Sequence, residues 1–311
     1  MRLRIVRRDA ELGENLAELL RVLHPLPFLG LTRGQALRGT QCTAARHPSR
    51  LAARWRYTVA LCLTNHVMPK DTLFNAPGTG DQPFRFDARV AEVFDDMISR
   101  SVPGYAEALA TVRAMAAARV PDGGRCFDLG CSLGAATHAI CHGLENRPAE
   151  VIGVDNSPAM IARCVADPSF QNLPQTVRFI EQDLTETEIS DASLVVLNYT
   201  LQFVPPGQRR HIVARIFEGL RPGGALVISE KFRFENAAVQ DLMTTQHLDF
   251  KRSNGYTELE IAGKRNALED VLIADTRARH VGRLESAGFR GVTLWQAHLN
   301  FGTFVAFKPG D

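Results

Sequence analysis

Residues 128–137 read DLGCSLGAAT, a glycine turn with a carboxylate, Asp128, at its head. The apolar stretch RCFDLG leads into the turn and predicts a short strand, and a helix is predicted after it, from about 133 to 144. Gly130 and Gly134 allow a ligand to approach the backbone closely, and the N-terminus of the helix points at that ligand. This stretch therefore predicts the first strand–turn–helix unit of an open sheet, with a binding site at the turn.

Strands and helices alternate after this turn. Further strands are predicted in EVIGVDNS, TVRFIEQDL, ASLVVLNYTLQF and ALVISEKF, with helices in SPAMIARCVAD and PPGQRRHIVARIFEGLRPGG. The chain closes with GVTLWQA and TFVAFK, and the loop HLNFG between them is too short for a crossover helix, so this pair must be an antiparallel hairpin. The sequence thus predicts an α/β fold with a mostly parallel seven-stranded sheet, an antiparallel last strand and helices on both faces.

Two helical segments are predicted outside this alternation, a cover over residues 86–119 and an insertion over about 235–288. In the stretch FDARVAEVFDDMISRSVPGY the apolar residues recur with the period of one helical face, with Asp87 suited to the N-cap and Pro103-Gly104 ending the helix. We expect both segments to belong to one catalytic domain, residues 68–311.

Residues 1–67 differ from the rest in charge. They hold eleven arginines, no lysine and four acids, a net +7, so the remainder of the chain stands at −5 within a total of +2. We predict that 1–67 is a disordered or non-native extension, with Met68 as the natural start, in preference to a targeting peptide. An acidic remainder without a basic stripe does not favour direct binding of nucleic acid.

The composition indicates a cytoplasmic location. No run approaches the ~18 apolar residues that a membrane span needs. The six cysteines form no paired motif, which favours reduced thiols over a disulfide framework.

Polar side chains follow the predicted strands where each one ends. Asp155 ends the second strand, Asp183 the third and Asn198 the fourth, and ligands of open parallel sheets bind at these ends. Asp155 is placed to hold both ribose hydroxyls of a nucleoside, whereas Asp183 also suits a simple turn. Asp128 would repel the pyrophosphate of a dinucleotide but attract the ammonium and sulfonium of S-adenosylmethionine. The site therefore predicts S-adenosylmethionine as the ligand.

The turn DLGCSLG, the stretch LRPGG and the antiparallel ending resemble class I S-adenosylmethionine-dependent methyltransferases, which implies a Rossmann-like fold. From about Asp71 to Phe307 the chain more closely resembles the carboxy-S-adenosyl-L-methionine synthase family. That resemblance rests on KDTLFNAP, FDARVAEVFDDMISRSVPGY, DLGCSLGAAT, DNSPAMIARC, VVLNYTLQF, GGALVISEKF, DFKRSNGYTELEIAGKRNALE and LWQAHLNFG.

The resemblance implies an unusual reaction for this fold, in which the sulfonium methyl group gains a carboxylate instead of being donated. Prephenate is the implied carboxyl source, phenylpyruvate is released, and a separate enzyme uses the product to modify the wobble uridine of tRNA. In a plausible route, prephenate loses carbon dioxide and hydroxide, the hydroxide removes a methyl proton, and the ylide attacks the trapped carbon dioxide. Such a route needs a dry pocket with positive charge but no strong protein base.

The resemblance also implies the residues that bind the cofactor, by position in its motifs. Tyr105 would touch it from the helical cover, Gly130, Cys131 and Ser132 would surround its amino-acid part, and Asn198 would lie beneath the methionyl group. Its ribose would be held by Asp155 and Asn156, and its adenine flanked by Asp183 and Leu184. Arg265 would pair with the added carboxylate as the catalytic residue, reaching in from the partner subunit of a homodimer.

Several simpler interpretations stay open. Arg265 lies in a charge-dense helix, and pattern alone favours a solvated helix face there. Cys131 begins a helix, where the pKa of its thiol could be lowered, but a backbone contact is the favoured role. His138 and His142 share a helical face with no third ligand nearby, so we predict no metal. An ordinary methyltransferase and a non-catalytic S-adenosylmethionine-binding dimer remain the alternative functions.

Overall fold

The computed structural model describes residues 69–310. The predicted N-terminal extension, residues 1–67, and the predicted start at Met68 lie outside the described residues. Backbone contacts group the described residues into one compact unit. Within the described part of the chain, no helix combines the length and the apolar character that a membrane crossing requires.

Seven strands form one sheet. Their bounds are β1 Gly124–Leu129, β2 Ala149–Asp155, β3 Thr176–Glu181, β4 Ala192–Asn198, β5 Leu220–Lys231, β6 Arg290–His298 and β7 Phe301–Phe307. The order across the sheet is β3-β2-β1-β4-β5-β7-β6. The first five strands run parallel, and β7 lies antiparallel between β5 and β6. The predicted fold class, with its antiparallel last strand, is confirmed.

Eight helices accompany the sheet in residues 69–310. They are α1 Ala88–Ser101, α2 Tyr105–Arg119, α3 Ala135–Leu144, α4 Pro158–Ala166, α5 Arg209–Gly219, α6 Ala237–Ser253, α7 Glu258–Leu268 and α8 Arg277–Ala287. Helices α1 and α2 fall in the predicted cover, and α6, α7 and α8 fall in the predicted insertion. The Asp87 carboxylate caps α1 by accepting from the Arg89 and Val90 backbone N–H groups at 3.0 Å, as predicted.

The core lies on both faces of the sheet, and β4 contributes apolar side chains to each face. Leu194 and Val196 pack into one apolar cluster with the α3 residue Ile140, and Val195 and Leu197 pack into the opposite cluster. Such a continuous apolar run is typical of a parallel strand covered by helices on both sides. The cover joins this core from outside, since α1 packs in a third cluster that includes Met160 of α4 and Ala267 of α7.

One boundary differs from the sequence prediction. Helix α5 ends at Gly219, and LRPGG belongs to the start of β5 instead of the end of the helix. Leu220 already pairs with Ala192, after which the register shifts and resumes at Leu194 with Ala225. Pro222 and Gly223, with φ of +75° at the glycine, take up that shift as a bulge.

Strand order fixes where a ligand can bind. β1 and β4 are the neighbours at which the chain changes direction across the sheet, so the loops after them diverge and leave a crevice at their carboxyl ends.

Candidate active site

A cavity of about 350 Å³ opens at the carboxyl ends of the parallel strands. Each strand from β1 to β5 contributes to its wall. The contributed residues include Gly130 and Ser132 after β1, Asp155 and Asn156 at β2, Asp183 and Leu184 after β3, Asn198 at β4 and Lys231 at β5. Most of the residues predicted to bind the cofactor therefore line one cavity.

The glycine turn is held against β2 by its backbone. The N–H groups of Gly130 and Cys131 both donate to the Val154 carbonyl, at 2.7 and 3.0 Å. Gly130 has a φ of +76°, and a Cβ there would come within 2.3 Å of the Thr200 side chain. Only glycine fits this position, which leaves the turn open to a ligand.

Asp155 supports the turn and lines the cavity at the same time. One carboxylate oxygen accepts from the Ser132 backbone N–H and the other from the Ser157 backbone N–H, each at 2.9 Å. Burial raises the pKa of this carboxyl above its ordinary value, against the lowering effect of those bonds. Its remaining acceptor capacity faces the cavity and suits hydroxyl donors.

Asp183 is exposed and forms a turn of its own, since its Oδ1 accepts from the Thr185 N–H at 2.8 Å and from the Thr185 hydroxyl at 2.6 Å. These bonds hold the pKa of Asp183 below its usual range. Asn156 and Leu184 border the cavity beside it.

Asp128 is fully buried behind the turn. The Thr137 hydroxyl donates to its Oδ2 at 2.7 Å, while its Oδ1 has no hydrogen-bond partner among residues 69–310. Burial raises the pKa of this carboxyl to about 7. Asn198 Oδ1 is also buried without a described donor, and both residues border a smaller cavity beside Gly130. Two orphaned acceptors at one place suit a ligand that brings N–H donors, such as the ammonium group of an amino acid.

Tyr105 and Cys131 border this smaller cavity as well. Tyr105 is the first residue of α2, and its ring lies 6.0 Å from the Tyr199 ring. The buried Cys131 thiol has a raised pKa, through its contact with Cys164 and through burial. The sequence-based possibility of a lowered pKa at Cys131 is therefore wrong, because a neighbouring thiol and an apolar pocket outweigh the helix terminus.

Three lysines line the opposite end of the large cavity. Lys231 ends β5, Lys251 lies in α6 and Lys264 lies in α7. From the sequence, charge alone makes Lys231, Arg233 and Arg252 candidates for binding the carboxylates of the implied substrate, whereas Lys251 and Lys264 are not predicted as site residues. Lys231 follows the strand-end pattern that identified Asp155 and Asn198, whereas no sequence signal marks the two helical lysines.

Lys251 and Lys264 are 8% and 5% exposed, respectively. Burial and the other two cavity lysines lower the pKa of Lys251 to about 7. Burial also lowers the pKa of Lys264 to about 8, although Asp71 lies 3.6 Å away and the Ser101 hydroxyl accepts from its ammonium at 2.9 Å. Burial lowers the pKa of Lys231 too. This end of the cavity is thus rich in desolvated positive charge.

Arg265 is exposed and does not line the cavity of its own chain. Its neighbour Lys264 is the side chain that turns inward. Among other cations near these elements, Arg233 is exposed, and Arg252 pairs at the surface with Glu258 and Asp249. A role for Arg265 therefore requires a second chain and stays a prediction.

The described residues bring together no group of three His, Cys, Asp or Glu side chains that could hold a metal ion. His138 stacks on Phe170 with ring centroids 3.8 Å apart, and its Nε2 is hydrogen-bonded to Ser169 Oγ at 2.9 Å.

Comparison with known proteins agrees with this geometry. A family model described as a methyltransferase domain matches residues 127–224, which span β1 to the start of β5. The carboxy-S-adenosyl-L-methionine synthase of Enterobacter sp. (strain 638) is 48% identical over 242 residues, covering 78% of this chain and 98% of that protein. The synthase of Klebsiella pneumoniae (strain 342) is 47% identical with the same coverage. The chain belongs to the carboxy-S-adenosyl-L-methionine synthase family.

Among solved structures, the S-adenosylmethionine-dependent methyltransferase SibL matches with a TM-score of 0.50 at 15% identity, over 78% of this chain and 64% of that one. At this identity the likeness shows the fold alone. Within that fold, the family membership and the acceptor groups of the cavity support S-adenosylmethionine as the ligand.

The uncompensated charge of Lys251 predicts a gain in stability when it is removed. Lys251→Met should raise the free energy of unfolding by about 1–3 kcal/mol at pH 7, because the native state no longer holds a desolvated amine beside two others. The pKa of this lysine is about 7 in the folded chain against 10.5 ordinarily. The unfolded chain binds the extra proton between these values, so wild-type stability rises with pH there and the advantage of Lys251→Met shrinks.

Urea unfolding from pH 6 to 9.5 measures this difference. Arg252→Met, a change at the neighbouring exposed cation, serves as the control and should leave the pH slope unaltered. A Lys251→Met protein that is less stable than wild type at pH 6, with the same slope, would contradict the assignment of Lys251 as a strained buried cation.

Proposed function

We propose that this protein converts S-adenosyl-L-methionine and prephenate into carboxy-S-adenosyl-L-methionine and phenylpyruvate. Its curated relatives carry the name of that product's synthase, and they align over nearly their whole length. The observation that carries the proposal is the polarity of the large cavity, with acceptors at the β2 and β3 end and lysines at the β5 end. A cationic end is suited to binding carboxylates, which both the proposed carboxyl donor and the proposed product carry.

S-adenosylmethionine would occupy the acceptor end. Asp155 and Asn156 would take the ribose hydroxyls, and Asp183 and Leu184 would flank the adenine. The amino-acid part would be surrounded by the backbone of Gly130, Cys131 and Ser132.

The ammonium of the amino-acid part would donate to the orphaned oxygens of Asp128 and Asn198, and Tyr105 would close that side of the smaller cavity. The lysines would then lie on the far side of the cavity from the ribose, because β5 is three strand positions from β2.

The proposed reaction balances without a protein base. Prephenate loses carbon dioxide and its ring hydroxide as the ring becomes aromatic. Hydroxide takes one proton from the sulfonium methyl to give water, and the resulting carbanion forms a carbon–carbon bond to the carbon dioxide. The cavity lining includes Phe203, Phe301 and Leu272, whose apolar side chains would limit the water around both short-lived species.

We further propose that the enzyme acts in the cytoplasm as a homodimer, in which Arg265 of one subunit pairs with the new carboxylate in the other. The product would supply a separate enzyme that modifies the wobble uridine of tRNA. The position of Arg265 supports this role. It is exposed on the outer side of α7, next to Lys264, which faces the cavity.

Product analysis tests the reaction. Purified protein incubated with S-adenosylmethionine and prephenate should form carboxy-S-adenosyl-L-methionine and phenylpyruvate in equal amounts by mass spectrometry. Prephenate labelled with ¹³C in the ring carboxylate should deliver that label to the cofactor product. Demethylated cofactor with a methylated acceptor would establish an ordinary methyltransferase instead, and tight binding without turnover would establish a binding protein.

Mixed dimers test the action of Arg265 across subunits. Arg265→Ala and Asp155→Asn subunits, co-expressed with different tags and purified as the mixed species, each lack one partner of the site. If the arginine acts in trans, one of the two sites in a mixed dimer is intact, and about half of the wild-type turnover should return.

Each variant homodimer, checked for folding by circular dichroism, provides the inactive baseline. Inactivity of the mixed dimer together with inactive homodimers would show that Arg265 acts within its own subunit. Wild-type turnover in the Arg265→Ala homodimer would remove it from the site altogether.

A further inference from the structure

The three cavity lysines come from separate parts of the chain. Lys231 ends β5, Lys251 belongs to the last turn of α6 and Lys264 belongs to α7. All three line the same end of the cavity, and burial together with mutual repulsion lowers the pKa of Lys251 in particular. Three amines that must be desolvated together oppose folding, so a structural role does not explain them. We name Lys231, Lys251 and Lys264 the lysine cluster.

The carboxylates near the lysine cluster are too few to balance its three ammonium groups. Within residues 69–310, Asp71 is the one carboxylate at salt-bridge distance from any of the three, 3.6 Å from Lys264. That carboxylate also accepts a hydrogen bond from the Tyr256 hydroxyl. Lys231 and Lys251 have neither an ion pair nor a side-chain hydrogen bond with the described residues. The Lys231 ammonium lies over the Phe301 ring, 5.8 Å from its centroid.

The other titratable groups nearby do not neutralise the cluster. Glu230 precedes Lys231 on the strand, but its carboxylate accepts from the Leu201 N–H at 2.9 Å, and burial raises its pKa to about 8. His247 lies one helical turn before Lys251, with its Nε2 2.9 Å from the Ser101 carbonyl. Burial and the neighbouring lysines lower the pKa of His247 to about 3, so it is a neutral donor to that carbonyl.

The cluster is also separated from the carboxylates of the acceptor end. Asp155 ends β2 and Lys231 ends β5, which lie three strand positions apart in the sheet. At about 4.8 Å for each position, the two ends are roughly 14 Å apart, too far for an ion pair. The cationic end therefore forms a subsite of its own, with Phe301 and Tyr199 as a neighbouring aromatic wall.

We propose that Lys231 and Lys251 bind the carboxylates of the carboxyl-donating substrate, a small dicarboxylate with a flat unsaturated ring, and that Lys264 completes the subsite. Asp71 and Ser101 fix Lys264 in place, which leaves two unpaired ammonium groups for two carboxylates. The ring packs on Phe301 and Tyr199. This inference rests on the proposed function for the identity of the substrate, but the binding of a dicarboxylate at the cluster does not require turnover.

Calorimetric titration measures the binding of the dicarboxylate at the lysine cluster separately from its turnover. Prephenate is titrated into protein saturated with S-adenosylhomocysteine, which fills the acceptor end and prevents the reaction. Lys231→Gln and Lys251→Gln should each weaken prephenate binding at least about tenfold, and the affinity for S-adenosylhomocysteine should change less than about twofold. Arg252→Gln, an exposed cation next to Lys251, is the matched control and should bind prephenate like wild type.

A thermal melt of each variant excludes unfolding, and Lys251→Met provides a second variant that should be more stable than wild type and equally defective in prephenate binding. Weakened binding of both ligands by the lysine variants would show a structural role and overturn the inference. Variants that turn over prephenate with the KM of Arg252→Gln would also overturn it while leaving the proposed function intact. Wild-type protein that binds prephenate through both lysines but forms no product would uphold the subsite and overturn the proposed reaction.

Discussion

The site depends on positive charge that is buried without an equal number of counter-ions. Lys231, Lys251 and Lys264 share one end of the cavity, and among residues 69–310 only Asp71 lies within salt-bridge distance of any of them. Desolvated charge of this kind disfavours the folded chain unless a ligand completes it. A dianionic substrate would supply the missing charge. The same positive field would then hold carbon dioxide and the carboxylate that forms beside the sulfonium, so binding and chemistry would use one set of side chains.

The acceptor end of the cavity follows from the sequence more directly. A short apolar run such as ASLVVLN is typical of a strand buried on both faces, and the topology of a parallel sheet brings the carboxyl ends of β1, β2 and β4 together. The sequence therefore predicts that Gly130, Asp155 and Asn198 lie close together, and all three line the large cavity. Their positions at the end of regular strands leave little freedom in where the side chains point.

The cationic end could not be predicted in this way. Lys264 and Arg265 are adjacent in a helix, and one residue turns a helix by about 100°, so small differences in how α7 rolls decide which cation faces inward. Pattern alone favours a solvated face for both. The contact that orients Lys264 comes from Asp71, nearly two hundred residues earlier in the chain, whose backbone N–H is held by Asp96 of α1 at 2.7 Å. Such long-range contacts leave no periodic signal in the sequence.

Proton uptake on substrate binding tests the buried-charge account most directly. At pH 8 Lys251 is mostly neutral in the free protein, because its pKa is about 7. Calorimetry of prephenate binding at pH 8, in two buffers of different ionisation enthalpy and with S-adenosylhomocysteine present, reports the protons taken up. We expect uptake on the order of one proton for each prephenate bound, and less in Lys251→Gln, since a nearby carboxylate restores the ammonium form. Identical heats in the two buffers would mean that no amine changes its protonation state, and would contradict the account.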